Sequence, residues 1–225
     1  MNLFSIIKIN DDMKKFISNR DETVRLFKNP VIEYFSHIHP ATPLIVYLPI
    51  IAIVLYFGIP GKNYFYDFLT FLIGIFLWTL LEYVMHRFAF HTHPKSDLGK
   101  RIHFLVHGVH HDYPRDGTRL VMPLIISVPL AIFFFFFFRA VMGSYYLTYY
   151  AGLLLGYVAY DSIHFATHHF PMKKGVAKWL KDYHLRHHYN DENSAFGVSN
   201  PLWDYVFGTV PAKQESRNKK ESVGV

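Results

Sequence analysis

Apolar residues along this chain gather into four blocks, and the charged residues collect between them. Leu44–Gly58 is short and contains Pro49, with Pro43 just before it. Tyr64–Met85 is long and carries only Asp67 and Glu82. Val121–Met142 includes the run Phe133–Phe138, and Ser144–Phe165 is rich in Leu, Gly and Tyr. A hydrocarbon layer about 30 Å thick takes roughly 20 apolar residues in a helix to cross. The blocks therefore predict an all-α chain with four membrane-spanning helices, bounded at 43–59, 64–86, 120–142 and 144–166. Such blocks exceed the core helices of a soluble bundle. Pro43 and Pro49 predict an irregular first span, and Phe133–Phe138 reads as lipid-facing filler.

The connections Ile59–Asn63 and Arg139–Gly143 are short, so the blocks pair into two hairpins. Of the 23 Lys and Arg residues, only Lys62 and Arg139 fall on the hairpin-tip side. Because positive loops stay in the cytosol, residues 1–42, the middle segment 87–119 and the segment 167–209 are placed there, the last two as a helical cap. Domain organisation follows: a charged, irregular cytosolic segment at 1–42, a membrane domain at 43–209 and a polar tail at 210–225. The tail is expected to be disordered from Lys213 on, with Lys219 and Lys220 solvated. No cleavable leader is expected, since the first apolar run begins only after residue 42.

The net charge of +6 raises the possibility of a nucleic-acid partner. The basic residues flank apolar blocks and no nucleic-acid module is visible, so none is expected. The chain has no cysteine, which excludes disulfides, thiolate metal sites and Cys nucleophiles. A transition-metal site here must use His, Asp or Glu.

Histidine supplies it. Ten of the 15 histidines fall into four groups: His86 and His91; His107, His110 and His111; His164 and His168; His184, His187 and His188. Residues three and four apart share a helix face, so each His-x-x-His-His triplet presents three imidazoles together, and His164 and His168 present two. His86 and His91, five apart, do not share a face on a regular helix, and His91 is expected from the turn that follows. All four groups lie at or just beyond the cytosolic membrane face and can converge. Imidazoles packed this densely repel when protonated and leave lone pairs unsatisfied when neutral, and a metal resolves both. Ten suit two ions, with Zn, Cu, Fe and Ni all compatible.

The other histidines, His37, His39, His93, His103 and His169, read as structural. Ligating imidazoles usually give their second N–H to an acceptor. Glu82, one turn before His86 on the same face, is the leading candidate. Tyr157 and Asp161 share a stripe with His164 and His168, and Tyr160 lies four before His164. Asp161 could orient an imidazole or hold a substrate amide or hydroxyl, while the tyrosines could equally be interface anchors. Asp116-Gly-Thr-Arg119 reads as a turn leading straight into the third helix, and Asn193–Gly208 as a packed segment of the cap.

The set His86-x4-His91, His107-x2-His110-His111, His164-x3-His168 and His184-x2-His187-His188 resembles the fatty acid hydroxylase superfamily of membrane di-iron enzymes. Several flanking stretches look like its sphingolipid fatty acid 2-hydroxylase branch: Glu82-Tyr-Val-Met-His-Arg-Phe-Ala-Phe-His91, His103-Phe-Leu-Val-His-Gly-Val-His-His111, Asp116-Gly-Thr-Arg-Leu-Val-Met-Pro123, Gly156-Tyr-Val-Ala-Tyr-Asp-Ser-Ile-His164 and Leu202-Trp-Asp-Tyr-Val-Phe-Gly-Thr209. The resemblance runs from about Asn29 to Thr209. It implies four spans under a cytosolic cap, ten histidines holding two iron ions, and O₂-dependent hydroxylation at C2 of a long acyl chain. The substrate it implies is the N-acyl chain of a ceramide or sphingolipid, or a free fatty acid. Zinc, which has no redox chemistry, is implied as a substitute in purified protein.

Eukaryotic members often carry a cytochrome b5 domain, for which this sequence has no room. Electrons are therefore expected from a separate protein of cytochrome b5 or ferredoxin type, and the location from a bacterial inner membrane, or the endoplasmic reticulum if the chain is eukaryotic. Within the class, a sterol C4 oxidase, a desaturase or a carotenoid hydroxylase stays open. A catalytic zinc keeps three protein ligands and an open position, which ten histidines fit poorly. Transporters put their ligands near the bilayer midplane, whereas these lie at one face.

Overall fold

The computed structural model describes residues 17–59 and 63–212, and among them it is all-helical, with no strand. The expected tail from Lys213 and the tip around Lys62 lie outside the described residues.

A short helix α1 (Pro30–Phe35) precedes α2 (Thr42–Gly58). α3 (Tyr64–Val84) runs on without a break as a wider π-turn, Met85–Phe90. α4 (Asp97–His103) likewise continues through a π-turn, Phe104–Gly108, into α5 (Val109–Asp112). α6 (Leu124–Val141), α7 (Tyr146–His169), α8 (Gly175–Tyr189) and α9 (Leu202–Phe207) complete the order.

α7 is the hub of the bundle and packs against α3, α2 and α6. Its Ala151, Leu153, Leu154, Tyr157 and Val158 form the core with Tyr47, Ile51 and Trp78. Glycines set how close α3 and α7 come: a Cβ on Gly74 would sit 2.1 Å from Tyr149 O, and one on Gly152 would sit 2.1 Å from Phe71 O. Small residues at such a crossing let two backbones touch. The few polar side chains inside pair off, Thr70 Oγ1 with Thr148 Oγ1 at 2.6 Å and Tyr47 OH with Ser127 Oγ at 2.8 Å.

Two helical stretches, Tyr64–Phe90 and Leu124–Val141, are long and apolar enough to cross a membrane, and only 28% and 11% of their apolar windows are buried inside the protein. Phe68, Phe133 and Phe136 on their outer faces are exposed. The core helix of a soluble domain would be mostly covered. α2 is apolar but has 17 residues; it is helical through Pro49, with Pro43 in its first turn, where a missing N–H costs nothing.

The third helix begins at Leu124, later than the sequence pattern suggested. Pro123 disfavours helical backbone at Met122, and Asp116 instead closes a local turn by accepting from Thr118 N at 3.1 Å and Thr118 Oγ1 at 2.7 Å. That turn is strapped to the N-terminal segment, which is more ordered than its charge pattern implied. Ser18 N donates to Asp112 O at 2.8 Å and Ile38 N to Thr118 O at 3.0 Å. Arg119, buried, donates to Val24 O, to Ser36 Oγ and to Glu33 Oε1.

Candidate metal centre

The ten grouped histidines converge on two adjacent clusters of five. His86, His91, His107, His111 and His187 form the first, and His110, His164, His168, His184 and His188 the second. Within each, the ring nitrogens lie within 4.8 Å of one another. All ten are buried except His91, which is partly exposed.

Local helix geometry explains who goes where. His91 N donates to His86 O, five residues back, at 3.1 Å. The π-turn over Met85–Phe90 thus brings residues five apart together, as this wider helix does at functional sites. His91 itself ends the helix with non-helical backbone, so it comes from the turn that follows, as its five-residue spacing predicts, and the wider turn carries it back beside His86. The triplets also divide. On α8, successive residues turn by about 100°, so His184 and His188 nearly eclipse and enter the second cluster while His187 is swung into the first. The other triplet does the converse: His107 and His111 enter the first cluster and His110 the second. Each triplet thus feeds both clusters, and His111 and His188 stack across the divide with ring centres 4.3 Å apart.

The nitrogens fit metal ions. Nε2 of His107 lies 3.1 Å from that of His86 and 3.0 Å from that of His111, and His91 and His187 are paired at 2.9 Å. In the second cluster, His164 and His110 approach at 3.0 Å, His168 and His184 at 2.9 Å, and His188 and His184 at 3.0 Å. Ligands at right angles, each roughly 2.1 Å from one ion, are about 3.0 Å apart. The tautomers agree in part: His86 Nδ1 donates to Phe196 O at 2.6 Å, and His187 Nδ1 to Ser194 O at 2.7 Å. Each then has a lone pair on Nε2, aimed at its neighbours. Burial, helped by neighbouring imidazoles, holds His107, His111, His184 and His188 well below the usual imidazole range, so they stand neutral and ready to ligate.

Glu82 does not touch an imidazole. Its carboxylate accepts from Val198 N and Ser199 N, both at 2.7 Å, and from Ser199 Oγ. It anchors the loop whose Phe196 and Ser194 carbonyls receive His86 and His187, so the direct acceptors are main-chain groups that carry no residue-type signal. The neighbouring Asp204 holds Phe196 N at 2.9 Å and Gly197 N at 2.8 Å. Trp203 Nε1 ties the segment to Thr79 on α3 at 2.9 Å.

Asp161 and Tyr160 border a cavity of about 100 Å³ that also touches His107, His110 and His164. Asp161 is 2% exposed; the Tyr157 hydroxyl and the Met122 main chain face its carboxylate, and neither its Oδ2 nor the Tyr157 OH completes a close hydrogen bond. Tyr157 lies in the core rather than at an interface, its ring edge-on to Tyr47 and tilted against Trp78. Among the remaining histidines, His169 stacks on Phe165 and bonds Arg115 O at 3.1 Å, and His39 Nδ1 accepts from Ala41 N at 3.1 Å. His93 and His103 stand beside a polar cavity over the first cluster.

The fatty acid hydroxylase family model matches residues 71–209, a stretch that holds all ten grouped histidines. A dihydroceramide fatty acyl 2-hydroxylase of Arabidopsis thaliana is 42% identical over 148 residues, 65% of this chain and 62% of that one. A ceramide very long chain fatty acid hydroxylase of Saccharomyces cerevisiae is 40% identical over 169 residues, 73% of this chain and 44% of that one. The chain thus spans less than two thirds of the length of these curated relatives. A solved structure of full-length scs7p, in which only the hydroxylase domain is visible, superposes with a TM-score of 0.79 at 36% identity, covering 84% of this chain and 73% of that one. The chain belongs to the fatty acid hydroxylase family.

Proposed function

We propose that this chain is a membrane di-iron monooxygenase that hydroxylates C2 of a long acyl chain, the N-acyl chain of a ceramide-type lipid. The observation that carries the reading is the pair of five-imidazole clusters bordering one cavity with Asp161. The names of the related 2-hydroxylases support the substrate class.

The ten clustered histidines would hold two iron ions, five each. Iron there supplies reductive activation of O₂ to an oxidant strong enough for an unactivated C–H bond. One oxygen atom enters the C–H bond and the other leaves as water, with two electrons and two protons consumed. The electrons come from a separate protein of cytochrome b5 or ferredoxin type. Zinc in the same positions would give an inert protein.

The chain's own contribution is placement. Phe196 O and Ser194 O fix two imidazole planes. Leu120, Val121 and Met122 line the cavity beside the histidines and keep water from the reacting carbon. Asp161 Oδ2 can accept an N–H or O–H next to that carbon and so hold C2 towards the clusters.

The membrane reading goes with it. α2, α3, α6 and α7 act as four spans, and segments 87–119 and 167–209 cap them on the cytosolic side. The location is a bacterial inner membrane or the endoplasmic reticulum. The apolar outer faces of α3 and α6 support this.

The test is expression in a host that makes ceramides but no 2-hydroxy ceramides, with a supplied electron donor and measured iron loading. A ceramide one oxygen heavier, with fragmentation placing the oxygen at C2, is the expected result. An iron-loaded protein that yields no such lipid would overturn the assignment and turn attention to sterol and carotenoid substrates.

A further inference from the structure

Two openings reach the histidine clusters, and their chemistry differs. One is a polar cavity of about 430 Å³ against His91, His107 and His111, with His93, Lys100 and Glu192 in its wall. The other is the cavity of about 100 Å³ that holds Asp161. This second cavity does not end at the site. Ser36, Leu105, Val106, Arg119, Pro123 and Ile126 line it and also line a groove of about 330 Å³ beyond it.

The rest of the groove is apolar. Leu26 and Phe27 close one side, Val31, Ile32 and Phe35 of α1 form the wall, and Ile125 of α6 faces them. Sites for ligands of ordinary size run about 300–1,000 Å³. The inner cavity alone therefore holds only the atoms around a reacting carbon, and a long chain attached to them must continue elsewhere. The polar cavity suits water, O₂ and protons. The groove suits an acyl tail.

α1 is built to stay in this place. Asn29 caps it, accepting from Val31 N at 2.9 Å. Glu33 accepts from Leu26 N at 3.0 Å and Phe27 N at 2.8 Å, folding the preceding stretch back onto the helix. Arg119 clamps Glu33 and Ser36 to the turn before α6. The helix also shows apolar residues outward, with Tyr34 72% exposed, as suits an element resting in lipid.

We propose that the groove between α1 and the start of α6 is the lateral entrance for the lipid substrate and holds its acyl tail, so that α1 sets which chain lengths react. This rests on the function proposed above. α1 lies outside the 71–209 stretch matched by the family model, so the entrance wall can vary without touching a single clustered histidine.

The experiment uses the full chain in vesicles containing an N-acyl sphingoid lipid with a photoreactive diazirine near the end of its acyl chain. Irradiation, digestion and mass spectrometry locate the label, and a parallel vesicle set with mixed chain lengths gives the product profile. The expected result is label within 26–36 and 105–126. Ile126→Trp should shift hydroxylation several-fold towards shorter chains with metal content unchanged. Label elsewhere, together with an unaltered chain-length profile in Ile126→Trp, would overturn the entrance. Label in the groove without any 2-hydroxy product would leave the entrance standing and sink the reaction. Product with label elsewhere would do the reverse.

Discussion

His86 gives its Nδ1–H to the main-chain carbonyl of Phe196 at 2.6 Å, and the loop bearing that carbonyl is pinned by Glu82, one helical turn before His86. α3 thus supplies the carboxylate, and the π-turn that continues it the imidazole whose acceptor that carboxylate fixes. The carboxylate is satisfied by two amides and a hydroxyl, which is how an acidic group stays buried at modest cost.

Glu82→Gln keeps the size and can leave a carbonyl oxygen on the two amides, but it removes the charge that strengthens both bonds and turns an NH₂ towards Ser199 Oγ. The loop should loosen and His86 and His187 should lose their orientation, while the second cluster stays intact. Partners of this kind typically contribute 10–100-fold in metal affinity or activity. The expected outcome is a folded protein with weakened metal binding at the first cluster and activity down by about that factor. Metal titration with a chelator checks it, and two equally tight sites in the variant would contradict the role.

The division of the triplets makes a second prediction. His187→Ala should lower metal content at the first cluster alone, and His184→Ala at the second alone, although the two residues are three apart on α8. Either variant should abolish product, because both ions are required. Iron content per chain should fall by about half in each single variant and nearly to nothing in the double. A double variant that retains as much metal as the singles would show that both residues serve one ion.

Much of this was legible in the sequence, and the misses have physical causes. Blocks of apolar residues and the ten grouped histidines predict helices and convergence because periodicity and ligand chemistry are written in side chains. The five-residue spacing places His91 past the end of the helix, where it stands, but nothing local announces the π-turn that carries it back to His86. The acceptors Phe196 O and Ser194 O belong to the backbone, so Glu82 took their role in the prediction. The segment around Glu33 and Arg119 was hidden because its order comes from contacts some 86 positions apart in sequence, which no local pattern displays.

Arg119 carries the third prediction. Its guanidinium meets Glu33, Asp116 and the Val24 and Ser36 main chain, with its side chain 3% exposed. Arg119→Met retains the apolar stem but leaves the buried Asp116 and the partly buried Glu33 without their cation. Breaking a buried pair from one side costs about 3–5 kcal/mol, so the variant should melt well below the native protein. Protease cleavage should appear first within residues 17–38, before any site in α7. Adding Glu33→Gln to Arg119→Met should recover part of the loss by removing one charge that has lost its cation. No recovery would mean that Glu33 is not the partner that matters.

Asp161 decides whether the site distinguishes an N-acyl lipid from a free fatty acid. Its Oδ2 is buried without a close hydrogen bond, the Tyr157 hydroxyl faces the carboxylate, and the side chain lines one cavity with His110 and His164. A carboxylate oxygen accepts hydrogen bonds and repels other carboxylates. An N-acyl lipid offers an amide N–H next to C2, whereas a free acid brings a second negative charge to the same place. Hydrogen bonds to a charged group contribute about 1.5–3 kcal/mol, which corresponds to roughly ten- to a hundredfold in kcat/KM. Asp161→Asn keeps an accepting oxygen, so it should lose the difference between a charged and a neutral bond, about 1–1.5 kcal/mol or roughly five- to tenfold, on the N-acyl lipid, yet hold or gain on the free acid, because the repulsion is gone. A general structural defect would lower both alike. The ratio of the two kcat/KM values in Asp161→Asn against the native enzyme, measured with metal content matched, separates a group that reads the substrate from one that only fills the cavity wall.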